Sequence, residues 1–298
     1  MTPFFRLALP VLALCLLAAT HTRAQRRTAP PGTVAVNNFF IDRQEISNID
    51  YREYLFWLQM VFGKDAEQYR QAMPDTTVWR INISYNEPLV EHYFQHPAFD
   101  NYPVVGVSYE QAVLYCSWRT DRVYEKRLID AGIIPAKRQP NKSDFFTTER
   151  YLAGQYGGLT PNKTIEVPRY RLPSKDEWEL AASASLDATL FPYGYNLNDK
   201  RVAKELSKGH SLFNTRRAVV LQNMQTGFYT SPASSGLPNG YALHHMIGNV
   251  AEMIDQKGQC KGGSYVHQLE DSKITQSVNY DRPASWLGFR CVCVPELP

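Results

Sequence analysis

The chain is short of net charge, of cysteine and of long apolar runs, and each shortage removes a class of function. Its 32 basic and 29 acidic residues give a net +3 over 298 residues. Arg6 and Arg23 fall in the first 24 residues, which hold no acid, so the remainder carries 30 basic against 29 acidic side chains. That balance supplies no electrostatic attraction for nucleic acid. The one long apolar run, Leu7 to Ala19, is shorter than the roughly 20 residues a bilayer span needs. No C-x-x-C occurs, and Cys291 and Cys293 stand too close together for a zinc frame. A phosphate-cradling G-x-x-x-x-G-K-[ST] is missing, and so is a G-x-G-x-x-G after a strand. Gly262-Gly263-Ser264-Tyr265-Val266 lacks the closing glycine of a nucleophile elbow. Neither an internal repeat nor a low-complexity tract is present.

What remains is an aromatic, turn-rich globular chain. Hydrophobic residues make up 44% and charged residues 20%, too apolar for disorder. Aromatics reach 12%, with 18 Tyr and 14 Phe beside 19 Pro. Residues 1–24 read as a secretory signal: Arg6, the apolar run, and a small-residue site ending at Ala24. The rival reading lipidates Cys15, but Leu14 precedes it where a bacterial lipoprotein signal wants a small residue. Export leaves Cys116, Cys260, Cys291 and Cys293 in an oxidising compartment, where disulfides in any of three pairings are expected.

Residues 25–33 are a polar, proline-rich lead predicted to be flexible. Val34 to Glu45 alternates as a strand does. Ser47 or Asn48 is placed to cap a helix from Ile49 to about Phe62, with Tyr51, Tyr54, Leu55 and Leu58 on its inner face. A short helix is expected around Leu89 to Phe94. Ser108 caps another through about Val123, with an imperfect capping box because Glu110 lies only two residues on. Ser174 and Glu177 form a full box before a helix carrying Trp178. Ser183 to Leu237 reads as loop. Two segments, about 63–102 and 120–168, read as insertions, and one irregular α+β domain over 34–298 is the economical architecture.

Few residues stand out as chemistry. His92 and His96 share a helical face at metal-binding spacing, but Tyr93 stands where a zinc protease needs its glutamate. His244 and His245 are adjacent and read as structural. Asp176 and Glu177 sit in a helix first turn, where the helix dipole accounts for them.

Taken in order, several pieces resemble one family. They are Phe40-Ile-Asp-Arg-Gln-Glu45-Ile-Ser-Asn48, Pro103-Val-Val-Gly-Val-Ser-Tyr109-Glu-Gln-Ala112, Cys116-Ser-Trp118 and Tyr170-Arg-Leu-Pro-Ser-Lys-Asp-Glu-Trp178. Then come Met246-Ile-Gly-Asn249-Val-Ala-Glu252-Met, Lys261-Gly-Gly-Ser-Tyr265 and Leu287-Gly-Phe-Arg-Cys291. The set is similar to the formylglycine-generating enzyme, or sulfatase-modifying factor, domain. The resemblance implies one α+β domain of that type, related to C-type lectins and loop-rich. It implies a disulfide between Cys116 and Cys291, which would contribute about 4–5 kcal/mol at most, leaving Cys260 with Cys293. It also implies structural calcium at the G-N-V-A-E loop, held by Asn249, the Val250 carbonyl and Glu252. The alternative there is that Asn249 and Glu252 only tie the loop by hydrogen bonds.

Catalytic members of the family hold copper on two cysteines just beyond the G-G-S-[WY] strand, as Cu(I) wants soft thiolates. Here Val266-His267-Gln268 follows, and no cysteine occurs from 266 to 290. The iron-using branch needs H-x-x-x-H-x-E, and Ala98 stands in place of the acid after His92 and His96. No catalytic residue is therefore assigned. A rival reading keeps an altered oxidase built on His267 with Asp271 or Asn279. A third makes the chain a sugar- or peptide-binding module, on fold analogy alone. The segments Met73–Arg80, Tyr85–Pro97, Trp118–Arg122 and Phe146–Tyr156 resemble the gliding-motility and type IX secretion branch. Its members are periplasmic lipoproteins at the outer membrane and structural partners in envelope assemblies, some ring-like. The expectation is thus an exported, non-catalytic envelope scaffold, and its insertion aromatics Trp79, Tyr85, Tyr93, Phe94, Tyr151 and Tyr156, with Arg122, serve either as interface or as core.

Overall fold

Asn37 decides how the structure begins. The alternating stretch expected as one strand is two, β1 (Thr33–Val36) and β2 (Phe39–Asp42), paired as a hairpin. Asn37 takes a left-handed φ of 48°, which asparagine tolerates better than other side chains, and so supplies the turn. The computed structural model describes residues 29–80, 85–136, 140–216 and 229–298. Residues 1–24, read from sequence as a secretory signal, lie outside them.

Helix starts follow their caps. Ser47 and Asp50 form a reciprocal box at α1 (Asn48–Phe62). Two shorter helices follow, α2 (Glu67–Ala72) and α3 (Glu87–His92). Ser108 caps α4 (Tyr109–Asp130), and its box partner is Gln111, three residues on, so the box expected to be imperfect is complete. α4 also runs to Asp130 and not to Val123, because Tyr124 and Leu128 continue its buried face. α5 (Thr148–Leu152) and strand β3 (Val167–Arg171) lead to Ser174, which caps α6 (Lys175–Ser183) with Glu177. The stretch read as loop after Ser183 contains α7 (Lys200–Ser207). Five short strands close the chain: β4 (Ala251–Met253), β5 (Gln259–Lys261), β6 (Val278–Asn279), β7 (Leu287–Gly288) and β8 (Val292–Glu296).

The strands form two four-stranded sheets, ordered β1-β2-β8-β3 and β6-β5-β4-β7. The last strand therefore lies between β2 and β3, while β4 and β7 run parallel, with Glu252 opposite Gly288. Helices α1 and α4 pack an aromatic core against this frame. Tyr51 stacks on Tyr115 at 5.6 Å, and Tyr115 meets Phe289 edge-on at 5.5 Å. Trp178 of α6 fills a second cluster with Val36, Phe39, Ile41, Ile247 and Val292. Among the described residues no helix is long and apolar enough to cross a membrane.

The insertions are not surface decoration. Tyr124, Leu128, Ile134, Phe146, Tyr151, Tyr156 and Val167 form their own buried cluster. Trp79, Tyr93 and Phe94 are buried too, so of the six aromatics weighed as interface only Tyr85, 83% exposed, remains on the surface.

Candidate functional site

The G-N-V-A-E loop is bent by two successive left-handed residues, Gly248 (φ 82°) and Asn249 (φ 61°). A side chain at Gly248 would place its Cβ 2.6 Å from the Asn214 carbonyl oxygen, so only glycine fits this close crossing. The Gly248 amide donates to the Gly262 carbonyl at 2.9 Å, and the Tyr265 amide to the Asn249 carbonyl at 3.0 Å. The loop is thereby stitched to the G-G-S-Y segment. β4 then carries Glu252 into the interior, opposite β7, and Arg290 follows two residues after that strand.

Arg290 and Glu252 are both fully buried. The guanidinium reaches both carboxylate oxygens at 2.6 Å, through Nε to Oε2 and Nη2 to Oε1. Its remaining N–H groups donate to the Asp42 carbonyl at 3.0 Å and the His244 carbonyl at 2.8 Å. Trp178 Nε1 donates to Glu252 Oε2 at 2.8 Å. The fork geometry of arginine suits this bidentate, water-free pairing. Asn249 extends the network. Its Oδ1 accepts from the Ser231 amide at 2.7 Å and from Asn214 Nδ2 at 3.2 Å, and its Nδ2 donates to Glu45 Oε1 at 2.9 Å. His245 is enclosed beside it with Nε2 against Ser235 Oγ and the Pro232 carbonyl. Burial first, then His244 and Arg290, pushes His245 down to about 4, so it is neutral and structural.

Glu45 is fully buried, and among the described residues its Oε2 has no hydrogen-bond partner. Desolvation pushes its pKa up to about 8; Glu252 adds to the rise, while Arg290 and the Asn249 hydrogen bond oppose it.

These contacts decide how calcium would fit. Both oxygens of Glu252 are taken by Arg290 and Trp178, and Asn249 Oδ1 already accepts twice. As they stand, the side chains of Asn249 and Glu252 tie the loop by hydrogen bonds and do not present an open oxygen shell for calcium; of the Val250 carbonyl no contact bears on the question. Among the described residues no cluster of three or more His, Cys, Asp or Glu could hold a metal. His92 and His96 lie with rings 5.9 Å apart, but His96 Nδ1 accepts from the Ala98 amide at 3.2 Å and caps the following turn.

His267 occupies the position after the G-G-S-Y strand. Its Nδ1 lies 2.7 Å from Ser264 Oγ, and its ring meets Trp286 edge-on at 4.9 Å. Ser264 Oγ also accepts from the Val266 amide at 3.3 Å, so the hydroxyl ties the turn that carries His267. Burial lowers the imidazole's pKa, and Asp271 opposes that. Asn279 stands on β6 opposite Gln259.

The four described cysteines are all buried and free. Cys116 and Cys291 bring their sulfurs within 3.1 Å, between α4 and the start of β8. Cys260 donates to the Val278 carbonyl in one sheet, while Cys293 lies in the other, and the pairing expected between them is not formed. Burial pushes each of these two thiols up to about 12.

Motif reading found Glu252 and Asn249 but missed Arg290, Trp178 and Glu45 as their partners. All three stood within the motif pieces; only Arg290, a charge in the otherwise apolar Leu287-Gly-Phe-Arg-Cys291, carried a local mark, whereas Glu45 and Trp178 stand among other polar and charged residues.

Two small sheets with capped helices packed across them, and a buried polar hub between them, define a single α+β domain of the formylglycine-generating type. The chain belongs to that family: residues 16–294 match the sulfatase-modifying factor enzyme 1-like domain. It is 24% identical to the formylglycine-generating enzyme of Mus musculus, over 88% of this chain and 68% of that protein. It is also 22% identical to the inactive C-alpha-formylglycine-generating enzyme 2 of the same organism, over 88% and 77%. In structure it is similar to PvdO from Pseudomonas aeruginosa, with a TM-score of 0.50 and 17% identity over 86% of this chain and 80% of that one, a likeness of fold alone.

The Glu45 proton gives the hub a pH signature. Its folded pKa lies above the unfolded value of 4.5, so the stabilisation it brings is complete below that pH and is lost as pH rises towards 8. Glu45→Gln should match the parent near pH 4.5 and exceed it by about 4 kcal/mol at pH 8 in denaturant melts. Equal or lower stability of the variant at pH 8 would contradict the assignment.

Proposed function

We propose that this chain is an exported, non-catalytic structural component of an envelope assembly of the gliding-motility or type IX secretion kind. In this reading it works in the periplasm and associates peripherally with the outer membrane. One observation carries the non-catalytic half: the fate of the thiols. Copper chemistry of this family needs two cysteines beyond the G-G-S-Y strand, and this chain has Val266 and His267 there. Its remaining thiols are buried elsewhere. The altered-oxidase reading leaves His267 as a single imidazole in place of two thiolates, with Ser264 Oγ on one of its ring nitrogens. Relatives named as inactive support a scaffold that outlived its chemistry. The resemblance of the insertions to the secretion branch supports the envelope half, with a partner protein or a ring-like oligomer as its consequence.

Incubation with a cysteine-containing sulfatase peptide, copper and oxygen should give no aldehyde by hydrazide labelling, and cross-linking in the native envelope should recover a fixed protein partner. Aldehyde formation would overturn the first half; a strictly monomeric protein with no partner would overturn the second.

Export also places the Cys116–Cys291 contact under oxidising conditions, and we propose that these two form a disulfide. Alkylation of the unfolded, unreduced mature protein should then label two of its four thiols, Cys260 and Cys293. Labelling of all four would remove the bridge.

A further inference from the structure

A cavity of about 610 Å³ is lined by side chains of α1 and α4 and by the segment that follows β2. Ser264, Tyr265 and His267 are not in its lining, so it is separate from the G-G-S-Y segment. Most of the charges around it are already spent. Asp42 Oδ2 holds Arg119 Nη1 at 2.8 Å, and Arg119 Nη2 donates to the Pro31 carbonyl at 3.0 Å. Glu45 Oε1 is taken by Asn249, and Asp50 Oδ2 accepts from the Ser47 amide at 3.1 Å in the α1 cap. Arg122 gives Nη1 to Glu125 and Nη2 to the Phe146 carbonyl, each at 2.5 Å. Four groups of the lining stay unspent. Arg43 and Glu53 are exposed, and neither side chain makes an ion pair or a hydrogen bond among the described residues. Trp118 Nε1 and Arg122 Nε are buried donors without an acceptor. These two residues stand four apart and share one face of α4.

A guanidinium, a carboxylate and two N–H donors left over in one cavity call for a ligand with charges of both signs and further acceptors. An anion alone leaves Glu53 unpaired, a cation alone leaves Arg43 unpaired, and a neutral sugar leaves both. A single amino acid pairs the two charges but brings no carbonyl besides its carboxylate. We infer that this cavity binds a short linear peptide as a zwitterion. Its terminal carboxylate pairs with Arg43 and its terminal ammonium with Glu53, while its carbonyls accept from Trp118 Nε1 and Arg122 Nε. Buried donors left unmade are costly, so an acceptor delivered by the ligand removes a standing penalty. The volume lies within the range of small-molecule pockets. The inference goes beyond the scaffold reading and stands apart from it, since peptide binding by the purified chain and partner capture in the envelope fail independently.

The probe is triglycine, titrated at low salt into the mature chain labelled with nitrogen-15. N-acetyltriglycine and triglycinamide are its one-charge forms. The chain has five tryptophans, and Trp118→Phe identifies the Trp118 indole N–H signal among them. Triglycine should move that signal, and each one-charge form should bind about 5-fold more weakly, the upper end for an exposed ion pair. Arg43→Gln should bind triglycine and triglycinamide alike, and Glu53→Gln should bind triglycine and N-acetyltriglycine alike. Both variants should keep the parent melting temperature, because neither side chain has a partner to lose. No binding of millimolar triglycine, an unmoved Trp118 signal, equal binding of the charged and blocked forms by the parent, or parent-like discrimination by both variants would each overturn the inference.

Discussion

The bidentate pair of Arg290 and Glu252 is the constraint on which this fold turns. It joins segments far apart in sequence: Arg290 lies 38 residues from Glu252 and 248 from Asp42, whose carbonyl it also holds. Through Trp178 the same carboxylate fixes α6. Removing one partner of such a pair leaves a bare charge in the interior, at a cost of about 3–5 kcal/mol. The two partners are therefore held together less by attraction than by the penalty for separating them. Cys291 follows Arg290 at once and sets its thiol against Cys116, while its amide donates to Asp42 Oδ2 at 2.8 Å. The position that orders the hub thus also orders the seam between α4 and β8.

A saturated hub has a functional consequence. Four of the five N–H donors of Arg290 and both oxygens of Glu252 are spent inside, which holds the loop to its neighbours. The G-G-S-Y segment is equally committed: a Cβ on Gly262 would lie 2.6 Å from the Met246 carbonyl oxygen and 3.1 Å from the Trp178 ring. The architecture of an oxidase family is kept by packing and by buried polar contacts, neither of which needs the thiol pair. The insertions follow the same logic. Their aromatics build a satellite core of their own.

Features fixed by neighbours in sequence were legible. The caps at Ser47, Ser108 and Ser174 could be read because donor and acceptor lie three residues apart. The inner faces of α1 and α6 followed from apolar spacing. Three local features escaped. The Asn37 turn hides in an alternating run, the extension of α4 carries its apolar residues among charges, and α7 offers a periodic pattern of only Val202 and Leu206. The family pattern of motifs gave the architecture. The hub itself was beyond reach: Asn249 and Glu45 are 204 residues apart, and nothing local says that one will donate to the other.

The direct test of a guanidinium-locked, metal-independent loop is the melting temperature of the purified mature protein in excess EDTA and in millimolar calcium. The same midpoint in both would follow from Glu252 being spent on Arg290 and Trp178. A clear rise with calcium, reversed by EDTA, would show that the loop opens to take a cation after all, and the hub described here would not be its working state.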